Sequence, residues 1–102
     1  MTESKHIVEL AAREIIFYST HDEQSFFEWI KKIPCVEEYS GRGDTLFLYV
    51  KRDMLDEDML RDLIALFHRY GVDMRQLRKF DDESFSEWFN NPEKYWYRYV
   101  FG

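Results

Sequence analysis

The chain is poor in cysteine, proline, glycine and positive charge. It has one cysteine, two prolines and four glycines in 102 residues, and 14 Lys and Arg stand against 20 Asp and Glu. One cysteine rules out an internal disulfide, so Cys35, in the apolar stretch after Pro34, reads as a small core residue. The deficit of basic residues gives a net charge of −6. That argues against nucleic acid as a partner, because phosphate binding wants a basic patch. It suits a basic protein partner, whose approach long-range attraction would speed. No apolar run approaches the length of a membrane span. The start, MTESKHIVEL, lacks the apolar core of a signal peptide, so the expected compartment is the cytosol.

Chemical motifs are also missing. There is no Gly-rich phosphate loop, no nucleophile elbow and no CxxC. The acids Asp53, Asp56, Glu57, Asp58 and Asp62 lack the spacing and turn glycine of a calcium loop, so no metal is expected. Arg42-Gly43-Asp44 reads as a hairpin turn. Acid–base catalysis would need two histidines to converge, and nothing in the sequence brings His21 to His68. No catalytic residue and no cofactor is assigned.

Apolar side chains are abundant: 45% of residues are hydrophobic and 19% aromatic. One well-solvated domain with a real core follows. Residues 56–70 are the strongest element. Met59, Leu60, Leu63, Ile64, Phe67 and Tyr70 recur on one face of a helix. Asp56 can cap its start, Glu57 and Asp58 suit the dipole, and Gly71 supplies the stop. Just before it, Thr45–Lys51 reads as a central strand, with Leu46, Leu48 and Val50 on one side and Phe47 and Tyr49 on the other. Residues 36–40 pair with it across Gly41-Arg42-Gly43-Asp44 as an antiparallel hairpin.

Residues 1–6 are expected to fray, and Ile7, Leu10 and Ala11 suggest a short helical turn. Residues 14–19, EIIFYS, read as the first strand. Thr20 and Glu23 fit a capping box that opens a helix to Ile33, stopped by Pro34, with Phe26, Trp29, Ile30 and Ile33 inward. Residues 73–80 fit either a charged edge strand or a helical extension. Residues 81–90 predict a third helix with Phe85, Trp88 and Phe89 inward. Asn91-Pro92-Glu93 looks like another helix start, which puts Tyr95, Trp96, Tyr99 and Val100 on one face; a strand over the same residues would align Tyr95, Tyr97, Tyr99 and Phe101 instead. DEQSFFEWI at 22–30 is echoed by DDESFSEWF at 81–89, read as shared helix-start chemistry and not as duplication. The fold class is therefore α+β: a single small domain with an antiparallel sheet of three to four strands packed by three to four helices.

FFEWIKKIP at 26–34, LIALFHRYG at 63–71, DMRQL at 73–77 and WFNNPEKYWYRYVFG at 88–102 together resemble small bacterial immunity proteins, the cytosolic partners of polymorphic and contact-dependent-inhibition toxins. The resemblance runs in order over most of the chain. It implies a protein that binds and neutralises one cognate toxin domain, often a nuclease. It carries over no individual binding residue.

Acid clusters at helix starts and aromatics at the C-terminus, where eight of the last 18 residues are Phe, Trp or Tyr, supply the candidate contact surface. It comprises Asp56, Asp58, Asp62, Asp82, Glu83, Tyr95, Tyr97 and Tyr99. Acids would attract a cationic partner and desolvated rings would hold it. A partner-binding protein of this kind is expected to be a monomer when alone. Other classes stay open: a self-associating structural or adaptor module, a phage-type inhibitor of a host nuclease, and a small enzyme if His21 and His68 met in a pocket.

Overall fold

A computed structural model describes residues 6–102. Met1 to Lys5, most of the stretch expected to fray, lie outside the described residues. His6 is tied in, its carbonyl accepting from Arg52 N–H at 2.8 Å.

The domain is α+β, with a three-stranded antiparallel sheet in the order β1-β3-β2. The strands are β1 (Ile7–Arg13), β2 (Val36–Arg42) and β3 (Thr45–Lys51). Among the described residues four α-helices accompany them: α1 (Thr20–Lys31), α2 (Glu57–Tyr70) and the single turns α3 (Ser86–Phe89) and α4 (Tyr97–Val100). Two 3-10 helices, Arg52–Met54 and Met74–Phe80, complete the order.

β3 is central, as its apolar run predicts, but only one of its faces is buried. Val8, Leu10 and Ala12 of β1 stand opposite Val50, Leu48 and Leu46 of β3, and this side joins Phe26, Ile30, Leu60, Leu63, Ile64 and Phe67 in one core. On the other side Glu9 faces Tyr49 and Ala11 faces Phe47, and none of the four is buried. There Arg42 lies over the Phe47 ring, 4.6 Å from its centroid. The β2–β3 hairpin closes on Gly43-Asp44 alone, since β2 runs on through Arg42. Gly43 takes φ 63°, the left-handed value that glycine accepts at no steric cost in a two-residue hairpin.

The first strand is displaced from its expected place. Residues 14–19 are not in the sheet; the strand is Ile7–Arg13, where a helical turn was anticipated. Its apolar positions alternate with Glu9 and Arg13, which is a strand period. Glu14 then takes φ 53°, a conformation disfavoured for a side chain bearing Cβ, and the chain leaves the register.

α1 begins one residue earlier than the capping box implies. Ser19 is the N-cap, its hydroxyl accepting from Asp22 N–H at 3.1 Å, and the helix closes at Lys31, two residues short of Ile33. Phe26, Ile30 and Ile33 are buried as expected. α2 matches its reading closely. Asp56 caps it through Met59 N–H at 2.8 Å, and Gly71, at φ 70°, ends it with its N–H on the Phe67 carbonyl.

Of the two readings for residues 73–80, the helical one holds, in 3-10 form. This segment nevertheless guards an edge. Gln76 Oε1 accepts from Ala11 N–H and its Nε2 donates to the Ala11 carbonyl, both at 2.8 Å. Lys79 Nζ reaches the Glu9 carbonyl at 3.0 Å. The side chain of Gln76 thus pairs β1 as a neighbouring strand would. The helix expected over 81–90 shrinks to Ser86–Phe89, because Asp82 and Ser84 spend their groups on local turns (Ser84 N–H to Asp82 Oδ1, 2.9 Å). The echoed segments therefore differ in structure. They still share burial: Phe26 and Phe85 are buried, as are Ile30 and Phe89.

Candidate functional site

α1 and α2 lie antiparallel. Tyr70, at the end of α2, donates to the Asp22 carbonyl at the start of α1 (3.5 Å), while Trp29 Nε1 donates to Asp62 Oδ1 at 3.2 Å. Their acidic N-termini therefore sit at opposite ends, and the acids cannot merge into one surface with all three helix starts. What assembles is a band along the outer side of α2, where the C-terminal aromatics pack beside it.

A chain of rings and guanidinium groups runs along this band. Arg52 lies over Phe85 at 4.7 Å and Arg61 over Trp88 at 4.2 Å, each close enough for cation–π attraction. Phe85 meets Trp88 at 6.1 Å, Trp88 meets Trp96 at 5.9 Å, and Trp96 meets Tyr95 at 5.1 Å. His68 then stands edge-on between Tyr95 and Tyr99, 5.1 Å from each. Glu57, Arg61 and His68 share a helix face, being four and seven residues apart, which is why one helix can serve the whole series.

Eight residues were singled out from the sequence, and they divide into three groups. Tyr95 and Tyr99 are surface rings, 52% and 47% exposed. Partial desolvation raises the Tyr95 hydroxyl above its ordinary pKa, against the opposing pull of Arg61. Asp58 and Glu83 are exposed and make no side-chain hydrogen bond or ion pair among the described residues. The others are engaged in the fold. Asp56 is the α2 cap, Asp62 holds the Trp29 indole, and Asp82 pairs with Arg52 Nη2 at 2.7 Å. Tyr97 leans on Phe101, 5.3 Å between centroids, and is half-buried. The helical reading of residues 92–101 holds for one turn. Its shared face divides, with Trp96 and Val100 in the core and Tyr95 and Tyr99 at the surface.

Sequence reasoning missed two participants, His68 and Arg61, and misplaced two further residues, Ile16 and Tyr18. His68 stands between two tyrosines through nonlocal packing, which neither its place in the last turn of the helix nor a pairing with His21 foretells. Arg61, to which the sequence assigned no role, pairs with Glu57 at 3.0 Å and also covers Trp88. Ile16 and Tyr18 were placed in a strand and are instead 66% and 87% exposed.

His21 is exposed and shares no hydrogen bond with His68. The depression beside His68 is lined by Phe67, Val72, Asp73, Met74 and Tyr99, without His21. Among the described residues no group of three or more His, Cys, Asp or Glu is placed to hold a metal, and no helix is long and apolar enough to cross a membrane. No protein-family model, curated protein or solved structure matches the chain.

Proposed function

We propose that this chain is an immunity-type inhibitor that binds a basic toxin domain, a nuclease being the class whose chemistry fits best. The observation that carries this is the band along α2: two half-exposed tyrosines flanking His68 at one end of the helix, and Glu57 and Asp58 at the other. Nuclease sites are cationic because they hold phosphates. The acidic balance of the whole chain accelerates encounter with such a site, and rigid aromatic anchors lengthen the stay. Net charge −6 supports the same partner. On this reading the protein acts in the cytosol and is a monomer until it meets the toxin.

The test begins with capture by the tagged protein at low and moderate salt, followed by kinetics on the recovered partner. One stoichiometric basic protein is expected. Tyr95→Ala and Tyr99→Ala should each weaken the complex about tenfold or more through faster dissociation. Asp58→Ala should slow association and flatten its salt dependence. Unchanged rates in all three variants would remove this surface from the reading, and recovery of only a self-dimer would replace it with self-association.

A further inference from the structure

Between β1 and α1 the chain runs outside both sheet and helix. Glu14 N–H still donates to the Asp44 carbonyl at 2.8 Å, and Tyr18 N–H donates to Asp22 Oδ2 at 2.9 Å. Between these two fixed points the backbone groups of Ile15, Ile16 and Phe17 make no hydrogen bond to any described residue. The side chains alternate as in a strand. Ile15 and Phe17 pack against the core, while Ile16 and Tyr18 project into solvent.

Unpaired extended backbone is a template for another strand, and proteins usually cover it. This protein does so a few residues earlier, where Gln76 and Lys79 cover Ala11 and Glu9. It leaves residues 15–17 open. Depressions flank the open stretch on both sides. One, of about 190 Å3, is walled by Ala12, Ile15, Phe17, Phe27 and Leu46 and has room for an aliphatic side chain. The other is bordered by Ile16 and Tyr18 together with Glu14, Asp22 and Arg69. With Asp44 on the first rim, the two depressions are bordered by three carboxylates and one guanidinium.

We propose that residues 15–18 are a strand-addition site for an extended segment of a protein partner in which apolar residues alternate with lysine or arginine. Backbone pairing would supply affinity, and the flanking carboxylates would select the basic strand. A second copy of this chain fits poorly, since it would set Glu14 and Asp22 against the same acids. The inference stands apart from the α2 band and needs no toxin to be tested.

The experiment uses the full chain, 15N-labelled, and the synthetic peptide acetyl-Lys-Val-Lys-Val-Lys-Val-Lys-amide, followed by amide hydrogen exchange and shift changes. At about 1 mM peptide, where weak binding is visible, exchange at one or more of Ile15, Ile16 and Phe17 should slow about tenfold. The same peptide N-methylated at its valines should give no protection, since it keeps charge and side chains but loses donors. Ile16→Ala/Tyr18→Ala, at two exposed positions whose loss leaves the core intact, should bind more weakly. Absence of protection at these amides, or equal binding by the N-methylated peptide, would overturn the proposal. Protection without peptide in a sample that sediments as a dimer would overturn it in favour of self-pairing.

Discussion

Cys35 shows how a single side chain is disarmed by its surroundings. Burial, reinforced by the nearby carboxylates of Asp56 and Asp62 and opposed by a backbone hydrogen bond, pushes its thiol up to about 11. The thiolate is the reactive form, so Ellman's reagent at pH 8 should leave the native protein unlabelled and react at once in denaturant. Prompt labelling of native protein would contradict the burial. Two carboxyls move the other way. The Arg75 side chain holds Asp73 below its ordinary 3.8. For Asp82, burial pushes up, but hydrogen bonds from Arg52 and Ser84 outweigh it and bring it below 3.8. A carboxyl with a lower pKa folded than unfolded stabilises the protein above the unfolded value, and the contribution fades as pH falls through the folded one. Both groups are largely exposed, so each is worth a fraction of a kcal/mol. The urea midpoint should therefore drop between about pH 5 and about pH 3, and Arg52→Ala should shrink that drop. An Arg52→Ala profile parallel to wild type would contradict the pairing.

At the scale of elements, α2 was legible because everything that defines it is local. The apolar stripe, the Asp56 cap and the Gly71 stop all lie within one stretch of sequence. The first strand was not legible for the opposite reason. Residues 14–19 have the higher β-propensity, yet a strand exists only where β3 offers a partner, and Ile7–Arg13 takes that place with Val8, Leu10 and Ala12 inward. The 3-10 segment Met74–Phe80 was half legible. Its charges suggested edge protection, and Lys79 does reach the Glu9 carbonyl, but the group that pairs Ala11 is the Gln76 amide, which no charge pattern reveals. Gln76→Leu should strand the Ala11 N–H and carbonyl and cost about 1–2 kcal/mol. Amide exchange at Ala11 should speed up together with that loss; unchanged exchange would show that the edge is held otherwise. Of the candidate site, the exposed tyrosines were legible as rings too numerous for the core. The acids were legible in part: Asp58 and Glu83 are exposed and Asp56 is the cap its position foretold, but Asp62 and Asp82 are committed to an indole and a guanidinium.

Over the whole molecule, the C-terminal residues finish the core. Phe89 and Val100 are fully buried, Trp96 Nε1 donates to the Phe89 carbonyl at 2.8 Å, and Arg78 Nε donates to the Val100 carbonyl at 2.5 Å. α4 packs against Met74–Phe80, which in turn holds β1. Ending the chain after Asn90 should therefore abolish cooperative unfolding and expose apolar surface to a dye such as ANS. A truncated chain with a sharp thermal transition would show that the sheet and α1–α2 suffice.

The three indoles occupy three different settings. Trp96 is buried, Trp29 donates to a carboxylate on α2, and Trp88 lies beneath the Arg61 guanidinium. Ultraviolet emission from the unlabelled protein is thus partitioned by location. A ligand on the α2 band would lift or press the cation over Trp88 and change its quenching, while a strand added at residues 15–18 would leave that indole dark to the event. The protein carries its own optical means of telling which of its two surfaces is occupied.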